Sequence, residues 1–217
     1  MDVSDTSASA VPPASAPVRR AGRRSGRRRE DVLAHACLVI GERGADATRF
    51  ADVSEVSGVP ISTLQYYFGN REDLLVAAFR YAAKRDLDGV RAALADLSDP
   101  WERVQKVCTF VVGFTDEVAP YAWQLWVEAW RWAQRDPEWR AEVLADNAKW
   151  RELLAQTVED GAATGRFRAD ADPRRVALQA LAMVDGIGLP IVLEDPAVPP
   201  AMARDLLIDV LARLLLP

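Results

Sequence analysis

The stretch Thr48-Arg-Phe-Ala-Asp-Val-Ser-Glu-Val-Ser-Gly-Val-Pro-Ile-Ser-Thr-Leu-Gln-Tyr-Tyr-Phe-Gly-Asn-Arg-Glu-Asp-Leu-Leu75 decides the fold. Two short helical patterns flank a Gly58-Val59-Pro60 junction, and a third helix opens at Arg71. Thr48 is placed as the N-cap of the first pattern, whose Val53 and Val56 are expected to face inward. Leu64 and Phe68, four residues apart, share one face of the second pattern. They are expected to close a small core with Val53, Val56 and Val59. Two short helices joined by a tight turn make a helix-turn-helix, whose second helix is shaped to enter a DNA major groove. Ile61, Ser62, Thr63, Gln65, Tyr66 and Tyr67 are left to divide between solvent and such a partner.

On the N-terminal side, Val32, Leu33, Ala36, Val39 and Ile40 recur at helical spacing and predict a helix from about Arg28 to Arg43, stopped by Gly44. Residues 1–18 are Ser, Ala, Pro and Val with two Asp, too polar and small to build a core. Residues 19–29 carry seven Arg and no acid, leaving 20 basic and 32 acidic residues elsewhere, a net −12. A +7 segment on an acidic body is the footprint of a phosphate-binding arm, and a solvated tail is the bland alternative. Residues 1–27 therefore read as a disordered Arg-rich arm. Arg19, Arg20, Arg23, Arg24, Arg27 and Arg28 are its candidate DNA contacts, and Arg49 joins them from its place at a helix start.

Composition narrows the class. Half of the 217 residues are apolar and 27% are charged, and no period-2 run of useful length occurs, so the expected fold is all-α. A single histidine removes most zinc sites and any His-based triad, and no Gly-rich phosphate loop or nucleophile elbow is present. No catalysis, metal or cofactor is expected. Cys37 and Cys108 lie far apart without a CxxC, which fits a reduced, cytoplasmic protein. The N-terminus has no apolar segment after its Arg cluster, unlike a signal peptide. Val176–Leu193 contains Gln179, Asp185 and Pro190, which makes it a poor membrane span.

C-terminal to the turn, Leu74, Leu75, Ala78, Phe79 and Ala82 form the inner stripe of a helix reaching about Leu94. Asp-Pro pairs at 99–100, 136–137 and 172–173 mark three further helix starts; the first of these helices is expected to reach Pro120. Six of the seven Trp fall between 123 and 150. Trp123, Trp126 and Trp130 stand at i, i+3 and i+7, on one helix face. With Phe110, Phe114 and Trp150 they exceed what packing a few helices requires. They suit a flat hydrophobic ligand or a quaternary ammonium held by cation–π contacts. Glu128 and Asp185 are acids that either select a cation or sit at the surface or an interface. The last two helices are apolar around more than one stripe. Either they are buried in a monomer's core, or they pack on a second copy as a four-helix seam through Leu181, Val184, Leu207 and Leu211.

The order Val53-Ser-Glu-Val-Ser-Gly-Val-Pro-Ile-Ser-Thr-Leu-Gln-Tyr-Tyr-Phe-Gly-Asn-Arg-Glu-Asp-Leu-Leu75 resembles the DNA-binding signature of the tetracycline-repressor (TetR) family, with Gly58-Val59, Thr63-Leu64, Tyr67-Phe68 and Glu72-Asp73-Leu74 in register. The Trp-rich helix, Glu159-Asp-Gly-Ala-Ala-Thr-Gly-Arg-Phe167 and Ala182-Met-Val-Asp-Gly186 resemble the ligand domains of betaine-regulator-like members. The resemblance implies about nine helices: a DNA-binding domain over 28–75 and a ligand and dimerisation domain over 76–217. It also implies a homodimeric repressor on a palindromic operator, released by a small hydrophobic, aromatic or cationic effector. Thr63, Tyr67 and Arg71 carry over as phosphate contacts, leaving Ser62, Gln65 and Tyr66 to offer edges to bases. The alternative is an activator or architectural DNA-binding protein without ligand control. Pro60 stands where the family usually has a capping Ser, Ser62 replaces the common Gly, Gln65 the common aromatic, and Arg71 the usual Lys. Base preferences therefore do not carry over.

Overall fold

A computed structural model describes residues 19–113 and 122–217, with side chains in the first helix described from Arg28 onward. Residues 1–18 and Phe114 lie outside the described residues. The described chain forms nine helices and no strand: α1 (Arg19–Arg43), α2 (Phe50–Ser57), α3 (Ile61–Phe68), α4 (Arg71–Leu94), α5 (Pro100–Val111), α6 (Ala122–Ala133), α7 (Pro137–Ala163), α8 (Pro173–Val192) and α9 (Pro200–Leu215). α1 starts nine residues before the expected Arg28, so residues 19–27 belong to the same helix. α5 stops at Val111, short of Pro120, with Gly113 at φ 82° just beyond it.

The helix starts follow from capping chemistry. Asp99, Asp136 and Asp172 each accept backbone N–H bonds from the first turn and are each followed by proline, whose missing N–H is unpaired there anyway. Asn70 does the same for α4, its side chain accepting from the Asp73 N–H at 2.8 Å. The expected cap of α2 is displaced by one residue. Thr48 is fully buried and its hydroxyl donates back to the Gly44 carbonyl at 2.9 Å. Arg49 takes the N-cap position, and Asp52 reaches back to accept its N–H at 2.8 Å.

Two cores result. The first joins α1–α4 to α6 and the start of α7, through residues such as Ile40, Val53, Leu64, Leu74, Leu125 and Trp139. The second joins the C-terminal part of α4 to α5, α7, α8 and α9. α4 runs through both and crosses the expected boundary at residue 75. Leu207 and Leu211, expected at a subunit seam, are 1% and 4% exposed inside the second core. Leu181 and Val184 pack half-buried against the same core. Leu207 and Leu211 are thus taken up by the protomer's own core, while Leu181 and Val184 keep part of their surface open. What α8 and α9 leave uncovered is a different set: Leu178, Leu189, Leu193, Met202 and Leu206.

Candidate functional site

The helix-turn-helix is built as its spacing requires. Gly58 sits at φ 65°, with its N–H on the Ser54 carbonyl at 3.0 Å. Nothing lies within 4 Å of a Cβ placed there, so it is the left-handed backbone and not crowding that calls for glycine. Val53, Val59, Leu64 and Phe68 form the buried mini-core. Val56 is 45% exposed and does not join it. No side chain caps α3 at Pro60, so its first N–H groups are left to water or to an anion.

Ser62, Gln65 and Tyr66 are exposed, Tyr66 at 85%. Thr63 and Tyr67 are half-buried, Tyr67 edge-on to Phe68 with ring centroids 6.1 Å apart. Arg28 and Arg49 are exposed. The side chains of Arg19, Arg20, Arg23, Arg24 and Arg27 lie outside the described residues. Arg29 stacks its guanidinium 4.8 Å above the Phe68 ring, tying α1 to α3. Arg71, expected at a phosphate, has partners within the protomer. Its Nε donates to the Thr48 carbonyl at 2.6 Å, one terminal nitrogen donates to the Ala45 carbonyl, and the other faces Glu72 at 3.4 Å. The guanidinium thus holds the α1–α2 loop in place.

In the C-terminal half, Phe110, Trp123, Trp126, Trp130, Trp150 and Asp185 meet in the wall of one cavity of about 90 Å³ between α4–α9. Leu181, Val184, Leu207 and Leu211 complete its apolar lining. The space is well below the roughly 300–1,000 Å³ of drug-sized sites, so it suits a ligand of few heavy atoms. Trp123 and Trp130 lie 6.4 Å apart and tilted, as do Phe110 and Trp150. Gly188 lets α8 approach closely: a Cβ there would stand 2.1 Å from the Trp123 ring.

Two carboxylates reach the cavity. The sequence does not single out Asp86: in Lys84-Arg85-Asp86-Leu87-Asp88 it reads as part of a solvated charge run. Its register was the available signal, since it falls four residues after Ala82 on the inner stripe of α4. Burial pushes its carboxyl up, partly offset by the Arg85 guanidinium at 3.1 Å. Asp185 has no such neighbour: the residue is exposed at the protomer surface, and desolvation by the apolar wall on its cavity side is the sole cause that raises its pKa. Glu128, read from sequence as a possible cation selector, is outside the cavity lining. It accepts the Ala45 N–H at 2.9 Å and pairs with Arg131, which also reaches Asp46 at 2.9 Å. α6 therefore carries cavity wall on one side and a latch to the α1–α2 loop on another. Cys108 lines the cavity, and burial pushes its thiol up to about 12. His35 bonds the Asp31 carbonyl at 2.7 Å, within its own helix.

Known proteins match both halves. A model of the C-terminal part of BetI-type transcriptional repressors matches residues 100–216, and one of bacterial regulatory proteins of the tetR family matches residues 32–78. The HTH-type transcriptional regulator BetI of Rhizobium meliloti (strain 1021) is 29% identical over 163 residues, 74% of this chain and 75% of that protein. BetI of Brucella melitensis biotype 2 is 25% identical over 185 residues, 85% of this chain and 90% of its own length. Among solved structures, a transcriptional regulator from Saccharomonospora viridis in complex with choline superposes with a TM-score of 0.80 at 25% identity, covering 89% of this chain and 99% of that one. A TetR regulator from Chloroflexus aurantiacus J-10-FL, at 22% identity and a TM-score of 0.76 over 89% of this chain and 98% of its own, shares the fold. With the C-terminal model alone spanning more than half of its length, the chain belongs to the TetR family of bacterial transcriptional regulators and carries a BetI-type C-terminal domain.

Proposed function

We propose that the protein is a homodimeric, cytoplasmic repressor that binds a palindromic operator and leaves it when a small cation enters the Trp-lined cavity. One observation carries the reading: α6 presents Trp123, Trp126 and Trp130 to the cavity, while Glu128 and Arg131 of the same helix hold the α1–α2 loop. A ligand that repositions α6 therefore acts directly on the loop that sets the angle of the helix-turn-helix.

The division of labour follows residues 28–75 for reading DNA and 76–217 for effector and partner, with α4 and α6 passing between them. Ser62, Gln65 and Tyr66 face the bases, and glutamine suits bidentate pairing with adenine. Thr63, Tyr67, Arg28, Arg49 and the α3 N-terminus meet phosphates. The helical Arg segment from Arg19 lies along the flanking backbone. In the cavity the indole faces accept a cation and Asp185 supplies the opposing charge, Asp86 being already paired with Arg85. The choline bound by the Saccharomonospora viridis regulator is of this chemical class. The second copy docks on the uncovered face of α8 and α9. The apolar window of α8 has mean hydropathy 1.5 and is only 22% buried in the protomer, which leaves it to be covered by a partner.

The test is titration of operator binding with choline and tetramethylammonium. A fall in DNA affinity that saturates with the cation is expected for the wild type. It should be absent when Trp126 and Trp130 are replaced by alanine. DNA affinity unmoved by any compound that binds the cavity sinks the inducible reading.

A further inference from the structure

Asp185 stands where the cavity and the uncovered face of α8 meet. Leu178, Ala182, Asp185 and Leu189 fall at i, i+4, i+7 and i+11, one stripe along the helix, and all four are exposed in the protomer. Met202 and Leu206 extend that apolar surface onto α9. Asp185 is also cavity wall, beside Leu181 and Val184. Among the described residues its carboxylate has no ion pair, and no charged group from α6, α7 or α9 shifts its pKa.

Resting on the cation-responsive dimer above, we propose that Asp185 serves both sites at once: it anchors the effector's cationic head and carries a carboxylate without an ion pair into the middle of the subunit seam, so that a second copy of the chain completes the effector site. A two-fold seam is self-complementary, and midway along the α8 stripe Asp185 brings one carboxylate from each copy, while the exposed charges of Arg174, Asp209 and Arg213 lie toward the ends of the α8 and α9 faces. A charge moved from water into an apolar interface without a partner is costly. A bound cation removes that cost, and the seam in turn removes water from around the cation. Linkage makes the effect reciprocal: the factor by which the cation tightens the dimer is the factor by which dimerisation tightens cation binding. The effector thus selects one packing of the subunits, and with it one spacing of the two reading helices.

The experiment compares wild type, Asp185→Asn and Asp185→Glu by sedimentation equilibrium, with and without choline or tetramethylammonium, and measures cation binding by calorimetry. Without cation, Asp185→Asn is expected to dimerise about tenfold more tightly than wild type, while Asp185→Glu stays close to it. Saturating choline is expected to tighten the wild-type dimer about tenfold and leave Asp185→Asn unmoved. An Asp185→Asn dimer no tighter than wild type places Asp185 outside the seam and overturns the proposal. Choline that binds wild type but leaves its dimer constant unchanged overturns it too, with the effector reading intact. Binding of neither cation to wild type overturns the cation reading itself, and this inference with it.

Discussion

Arg71 bonds two carbonyls of the α1–α2 loop, and only a planar fork reaches both. Lysine, the usual residue of the family at this place, keeps the charge but has no fork. Arg71→Ala should cost about 1.5–3 kcal/mol, the range for hydrogen bonds from a charged donor. Arg71→Lys should lose much of the same stability while keeping a cation for phosphate. Melting curves beside DNA titrations separate the two roles: a Lys variant as stable as wild type would assign Arg71 to phosphate alone. The cysteines give a second residue-scale prediction. Burial pushes both Cys37 and Cys108 from 9.0 up to about 12. The unfolded thiols ionise near 9.0 while the folded ones hold their protons, so stability should fall as pH rises from about 9 towards 12. Denaturant midpoints from pH 8 to 11 should fall less steeply in a Cys37→Ala, Cys108→Ala double variant than in wild type.

At the scale of elements, α6 and α8 both wall the cavity, and α6 also bonds the α1–α2 loop. Gly188 is open to Trp123 because it has no side chain; Gly188→Ala forces the ring or the helix to move. Overpacking of this kind costs about 1–3 kcal/mol, and the cavity shrinks from the α8 side. Effector binding should weaken by more than DNA binding does, which parallel calorimetry and operator titration would measure. The latch makes the opposite split. Glu128→Ala removes the acceptor of the Ala45 N–H and the partner of Arg131, leaving every cavity-lining residue in place. On the proposed reading, choline should bind this variant and wild type equally, yet change operator affinity in wild type alone. Retained induction would move the coupling to α4.

For the whole molecule, the useful distinction is between apolar residues the protomer has used and those it has not. Leu207→Ala should cost about 2–5 kcal/mol, because Leu207 lies in the protomer's own core. Leu189→Glu with Leu206→Glu should leave the fold's melting behaviour nearly unchanged and yield monomers, since both residues are exposed. Light scattering on the pair distinguishes the two kinds of leucine. An intact dimer after the double Glu change would put the seam on another face.

Sequence by itself determined the all-α class, the order of helices and the reading head. Those depend on local rules: Asp-Pro starts, the left-handed glycine at 58, and the i, i+4 match of Leu64 with Phe68. It also put Trp123, Trp126 and Trp130 on one helix face, because helical spacing alone does that. Tertiary structure decided what spacing leaves degenerate. A helix apolar on most sides offers several faces of equal hydropathy, so whether Leu207 or Leu206 points inward depends on where α5 and α8 pack. A charged residue inside a charged run looks solvated until its register is set against a neighbouring helix, which is why Asp86 has no distinguishing mark in the sequence. Glu128 bonds a backbone N–H 83 positions away, and Arg71 two carbonyls 23 and 26 positions away. Contacts of that separation have no local signature, because they are fixed by the docking of whole helices.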